Sequence, residues 1–186
     1  MIDLNLLKEE DRLVISRINE KGRAWIVGGW VRDSLSGLMP TELDLATTLT
    51  PRDVQAIFPR SIMTGEKFGT TIVRIDDSEK ASYQCEVTTL RADGGYGDGR
   101  RPDNVVFGQE IEADLARRDF TINAMAVDDS GRLIDPFGGL DDLREGLLRT
   151  VGSAEERIGE DGLRVLRAFR FMSAEGGGIR KMDESL

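Results

Sequence analysis

The chain has 186 residues, with 25 basic and 34 acidic side chains, a formal net charge of −9 and an apolar fraction of 39%. This length allows one packed domain, or one domain with part of a second, and the apolar fraction is that of a folded protein rather than a disordered chain. The acidic balance argues against a broad surface for gripping nucleic acid, though not against a nucleic-acid substrate held by another domain or chain. There is no histidine and only one cysteine, Cys85. Serine–histidine and cysteine–histidine nucleophile schemes, histidine zinc sites and an internal disulfide are thereby excluded. MIDLNLLKEEDR, at the N-terminus, lacks a signal-peptide pattern, and no apolar run approaches the length of a bilayer span. The expectation is a cytoplasmic enzyme that works with carboxylates and metal.

In chain order, Leu6, Leu7, Leu13, Val14 and Ile18 fall near helical spacing, which predicts an amphipathic helix within residues 4–21 that stops at Gly22. Trp25 to Val27 reads as a buried strand ending at Gly28-Gly29, with a short helix after it that carries Arg32 and Asp33. After a turn at Pro40, Glu42 to Ala46 reads as a second strand. Thr50-Pro51 starts a helix that ends near Phe58-Pro59. Thr70–Ile75 and Tyr83–Leu90 read as strands joined by a polar turn at Asp76 to Lys80, with Cys85 inside the second as a packed thiol. Residues 91–104, RADGGYGDGRRPDN, read as a mobile loop, either a functional lid or a plain surface loop.

A short helix is expected over Glu110 to Arg117, then a hairpin of Ala124–Val127 with Arg132–Ile134 and a turn at Asp135 to Gly139 that leads into a helix at Leu140. Ser153 and Glu156 form a capping-box pattern. A stronger helix follows from about Glu160, with Leu163, Leu166, Phe169 and Phe171 as its buried stripe. Gly176-Gly177-Gly178 predicts that the last segment hinges away or frays.

Chemistry concentrates between Trp25 and Thr48. Strand alternation puts Glu42 and Asp44 on one face while Leu43 and Leu45 enter the core. Two neighbouring carboxylates call for a cation between them, and hard oxygen donors suit magnesium. Gly28-Gly29 at a helix start lets phosphate approach backbone N–H groups. A phosphate cradle beside metal carboxylates is what nucleotidyl transfer needs. Glu86 is either a third carboxylate of that site or an exposed strand glutamate paired with an arginine. Asp161 and Arg164, one turn apart, are either a helix-stabilising ion pair or a reader of bases. As a reader, aspartate would accept from an exocyclic amino group and arginine would donate to a neighbouring acceptor, an order shared by cytosine and adenine.

The ordered motifs GGWVRD, ELDLATT, EVTTLR, RRDFTINAM, DPFGGLDDL and EDGLRVLRAFRF resemble the head domain of the bacterial and eukaryotic type of tRNA nucleotidyltransferase, the CCA-adding enzymes, and of bacterial poly(A) polymerases. The resemblance spans about residues 22–172. It implies an α+β fold: a polymerase-β-like nucleotidyltransferase head over residues 1–145, with a mixed, mainly antiparallel sheet flanked by helices, and the start of a helical neck over residues 146–186. The family's body and tail, which hold the acceptor arm, do not follow, so the chain reads as a head fragment, a minimal form, or half of a split enzyme whose second chain supplies them. The implied activity is template-independent addition of CMP and AMP, from CTP and ATP, to tRNA 3′ ends. Its mechanism would be two-metal in-line attack of the primer 3′-hydroxyl on the α-phosphate, with two Mg²⁺ about 3.5–4 Å apart.

By the same resemblance Glu42 and Asp44 match the metal carboxylates and Glu86 the third catalytic acid. Gly28, Gly29 and Arg32 match the triphosphate turn, and Arg118, Asp119 and Asn123 the ribose and nucleotide motif. Asp161 and Arg164 match the pair that selects CTP and ATP, and residues 91–104 the loop associated with the last A. Two positions depart from the pattern: Glu42 stands where the family usually has aspartate, and Arg101 where it commonly has histidine. A poly(A) polymerase or A-adding relative, and a non-catalytic nucleotide-binding head, are the alternative readings.

Overall fold

The computed structural model describes residues 1–65, 69–75, 83–92, 106–172 and 181–186. After a 3-10 turn at Leu4–Leu6, α1 (Glu9–Asn19) leads to β1 (Ala24–Val27), α2 (Gly29–Leu35), β2 (Asp44–Thr47), α3 (Pro51–Ile57), β3 (Ile62–Gly65), β4 (Thr70–Ile75) and β5 (Tyr83–Thr89). There follow β6 (Arg91–Ala92), β7 (Val106–Phe107), α4 (Ile111–Ala116), a 3-10 turn at Thr121–Asn123, β8 (Ala126–Val127) and β9 (Leu133–Ile134). The last elements are α5 (Gly139–Glu145), β10 (Leu147–Leu148), α6 (Ala154–Glu160), α7 (Leu163–Met172) and β11 (Lys181–Met182). The turn expected at Asp76 to Lys80, most of the loop at 91–104 and the glycine run at 176–178 lie outside the described residues.

Among the described residues the main sheet has the order β3-β4-β5-β2-β1-β8-β9. Its pairings are antiparallel except for β2 with β5, which run parallel. The fold is therefore α+β with a mixed, mainly antiparallel sheet, as expected. Alternation divides the strands cleanly. Ala24, Ile26, Leu45, Val73, Cys85 and Val87 join Val14, Ile15 and Ile18 of α1 and Val54 of α3 in one core. Trp25, Val27 and Ala46 face the other way, against Ile111 and Leu115 of α4. Cys85 is 5% exposed, and burial pushes its thiol up to about 12, so it is a packed and unreactive side chain.

Local signals in the sequence explain most element ends. Thr50 and Asp53 form a capping box at α3, with Pro51 in the first turn. Buried Asp11 accepts from the Lys8 N–H at 2.8 Å, and Tyr83 donates its hydroxyl to the same carboxylate at 2.6 Å, so one side chain both caps α1 and fastens it to β5. Asp135 accepts from the N–H groups of Gly139 and Leu140 and starts α5. Gly139 sits against the chain at Thr121, whose carbonyl oxygen would be 2.1 Å from a Cβ placed there, so only glycine fits.

Three expectations are corrected. Glu42 precedes the strand, which starts at Asp44. The stripe assigned to the C-terminal helix is wrong in three of four positions, with Leu163 45%, Leu166 66% and Phe169 65% exposed. That helix is α7, which begins at Leu163 after α6 ends at Glu160, and it turns Arg164, Ala168 and Phe171 inward. Those three follow i, i+4, i+7 spacing, which puts Leu163, Leu166 and Phe169 on a different face. A third core of Phe120, Ile122, Leu148, Ala168 and Phe171 results, with Phe120 and Phe171 edge to face at 5.7 Å. Finally, residues after 180 do not hinge away: Lys181–Met182 pairs in parallel with Leu147–Leu148, and Arg149 donates to Asp183 at 3.1 Å.

Gly139→Ala is expected to lower the urea-unfolding free energy by about 2–4 kcal/mol, because the added methyl meets backbone that cannot give way. An unchanged urea midpoint would show that this close approach does not hold in solution.

Candidate active site

The site is built around the one parallel strand pair of the main sheet, among the described residues. Register places Asp44 directly beside Glu86, on the face opposite Cys85 and Val87. Adjacent residues in register project to the same side of a sheet, so the two carboxylates are neighbours. Asp44 is partly buried, and its carboxyl is raised from 3.8 to about 6: burial is the largest cause, Glu86 and Glu42 push in the same direction, and Arg118 opposes them. This is a carboxylate short of positive charge.

Gly28 closes the first turn next to it with φ +69°, and a Cβ placed there would lie 3.4 Å from Asp44 Oδ2 and 3.7 Å from Arg118 Nη1. Both the left-handed backbone and the tight surroundings call for glycine. Beside this turn opens a cleft of about 670 Å³, lined by Gly28, Gly29, Arg32, Glu42, Asp44, Arg118, Asp119, Asn123, Asp161 and Arg164. Ten of the eleven residues singled out from the sequence thus meet in one place. Glu86 is not part of that wall, although it adjoins Asp44 through the sheet.

Several polar side chains of the wall are held by partners. Arg32 donates to Asp33 at 2.7 Å and to Asn123 Oδ1 at 2.9 Å, and its guanidinium lies 5.3 Å from the Phe171 ring centroid. Asp119 accepts from the Phe120 N–H at 2.8 Å and from Arg167 Nε at 2.6 Å. Arg118 pairs with Asp114 at 3.1 Å and reaches the Asn123 carbonyl at 3.4 Å.

Asp161 caps α7 by accepting from the Leu163 N–H at 2.9 Å. The ion pair of Arg164 is with Glu160, at 2.7 Å, and not with Asp161. Arg164 also donates to the carbonyls of Arg157 and Arg117. The simple helix-pair reading of Asp161 and Arg164 therefore does not apply.

Sequence reasoning missed Arg117, Arg167 and Arg170, which also line the cleft and bring its arginines to six. Arg117 was legible as the first of the two arginines in RRDF. Arg167 and Arg170 follow Arg164 at three-residue intervals, a signal masked by the apolar residues between them.

The donor set fits magnesium. Glu42 and Asp44 are hard oxygen ligands at the wall, and the raised Asp44 carboxyl marks a place where a cation would relieve repulsion. Among the described residues no three such side chains form a closed cage. Magnesium is usually held by one or two carboxylates together with substrate phosphates, so a cage is not required.

With this geometry in view, residues 24–149 match the family described as the poly(A) polymerase head domain. The chain belongs to that family. The CCA-adding enzyme of Geobacillus thermodenitrificans is 48% identical over 164 residues, 88% of this chain and 39% of the relative. The structure of the Bacillus stearothermophilus CCA-adding enzyme in complex with CTP superposes with a TM-score of 0.81 at 39% identity, over 96% of this chain and 42% of that one. A tRNA nucleotidyltransferase complexed with a primer tRNA and an incoming ATP analogue gives a TM-score of 0.69 at 32% identity, covering 92% and 47%. The head domain chain thus spans about two fifths of the length of these relatives. Among its described residues no helix is long and apolar enough to cross a membrane.

An acid whose folded value lies above its unfolded one destabilises the fold once ionised, so the Asp44 penalty is absent well below 3.8, still small at pH 4 and fully present above about pH 6. Without divalent cations, Asp44→Asn is expected to stabilise the head by about 2 kcal/mol at pH 8, after allowance for partial solvent screening, and only slightly at pH 4. Urea unfolding at both values checks this; a variant no more stable than the parent at pH 8 would contradict the electrostatic account.

Proposed function

We propose that the chain is the nucleotidyl-transfer head of an enzyme that adds CMP and AMP, from CTP and ATP, to the 3′ end of tRNA. The observation that carries the reading is the cleft itself, where Glu42 and Asp44, the Gly28 turn and a row of arginines converge. The names of the relatives supply the substrate class: solved structures similar to this chain hold CTP in one case, and a primer tRNA with an ATP analogue in another.

In this reading Gly28 and Gly29 admit the triphosphate to the backbone, and Arg32 and Arg118 meet its charge. Arg32 is braced for the task by Asp33, Asn123 and Phe171. Asp119 and Asn123 face the ribose, with Asp119 steadied by Arg167. Asp161 and Arg164 read the pairing edge, and Arg164 is locked by two carbonyls and Glu160, which suits a reader that must present one fixed pattern.

Glu42 and Asp44, with Glu86 alongside, would hold magnesium, which when bound lowers the pKa of the primer 3′-hydroxyl and offsets charge on the triphosphate. The hydroxyl oxygen then bonds to the α-phosphorus as the bond to pyrophosphate breaks. Positioning and charge carry the rate, and the step requires no histidine, of which the chain has none. Residues 1–145 form the head in this assignment, and 146–186 the start of the neck. The tRNA body would be held by parts that correspond to the rest of the relatives' length.

The family description favours one further reading, a poly(A) polymerase. With magnesium, tRNA lacking its terminal CCA and labelled CTP and ATP, the expected product is extension by three residues, reduced about 10³-fold by Asp44→Ala. A long tract made from ATP alone would indicate the poly(A) reading. A chain that binds CTP yet incorporates neither nucleotide would contradict both.

A further inference from the structure

Arg117 and Arg118 are flexible side chains that must be aimed, and the group that aims them lies outside the cleft. Asp114 of α4 is 1% exposed and is not part of the cleft wall. One of its oxygens, Oδ1, accepts from Arg117 Nε at 3.1 Å and Nη2 at 2.6 Å, and from the Arg91 backbone N–H at 3.3 Å. The other, Oδ2, accepts from Arg118 Nε at 3.4 Å and Nη2 at 3.1 Å.

Helical spacing makes this possible, since residues three and four positions on share a face with Asp114. Each guanidinium thus turns the same edge to the carboxylate, which leaves Arg118 Nη1 near the Asn123 carbonyl and the Gly28 turn. Two guanidiniums on one carboxylate leave a positive charge uncompensated at the cleft. Burial alone would raise the Asp114 carboxyl, but Arg117 and Arg118 hold it below the usual range, so the charge is present. The Arg117 carbonyl in turn accepts from Arg164 Nη2 at 3.2 Å.

We infer that Asp114 is a positioning residue for nucleotide binding: without touching the ligand, its buried carboxylate fixes the direction of Arg117 and, above all, of Arg118. This rests on the nucleotide-binding reading of the cleft. Losing a charge-assisted pair of this kind is expected to weaken binding about tenfold.

Calorimetric titration of the chain with CTP separates positioning from simple structural support. Stoichiometry reports the folded fraction and the dissociation constant reports the site. For Asp114→Asn we expect a dissociation constant about tenfold higher at parental stoichiometry. We further expect Asp114→Asn combined with Arg118→Gln to be little weaker than Arg118→Gln alone, because Arg118 transmits the effect. Reduced stoichiometry with parental affinity, or full additivity of the two substitutions, would overturn the inference. Should Asp114→Asn fail to fold, Asp114→Glu retains the charge but displaces it by a methylene; weakening of about threefold supports the inference and parental affinity overturns it. A parent that binds no CTP would remove the underlying reading, and the inference with it. A parent that binds while the variants match it would remove the inference alone.

Discussion

The structure depends on a conflict of charge at the parallel pairing of β2 with β5. Strands laid side by side in that register put Asp44 against Glu86 on a partly dried face, with Glu42 nearby. Apolar residues on the reverse side hold the register, since a slip by one residue would turn Leu45 and Val87 out of the core. Like charges are therefore kept together by the hydrophobic effect acting on the opposite face of the same two strands. A fold tolerates such an arrangement where a cation and a polyanionic ligand relieve it.

The surroundings are consistent with that purpose. Basic groups approach from separate parts of the chain, Arg32 from α2, Arg117 and Arg118 from the segment after α4, and Arg164, Arg167 and Arg170 from α7. Their contacts also tie α7 to the sheet region, through Arg164 to the Arg117 carbonyl, Arg167 to Asp119 and Phe171 against Phe120 and Arg32. The groups proposed to read the base and those proposed to hold the phosphates are consequently parts of one packed unit. A chain with net charge −9 concentrates six arginines in one cleft, which reconciles an acidic protein with the anionic ligand proposed for it.

Much of this was legible in the sequence because the signals are short-range. Alternation in ELDLAT assigned the face of Asp44, while that of Glu86 stayed open until the strand register was known, and the capping pattern at Thr50 and the glycines at 28 and 29 marked real chain turns. What escaped depends on tertiary neighbours. Asp114 looks like any solvent-facing helix acid until two arginines close over it. The exposed stripe of Leu163, Leu166 and Phe169 was misread because apolar periodicity identifies a face without saying whether anything covers it. The return of the last residues to pair with β10 leaves no local pattern at all.

The most direct measurement is a crystal structure of the chain with CTP and manganese, with the ion located by its anomalous scattering. The account predicts an ion at the Glu42, Asp44 and Glu86 carboxylates, the triphosphate at the Gly28 turn and the cytosine edge at Asp161 and Arg164. An ion remote from Asp44, or CTP seated outside the cleft, would contradict it.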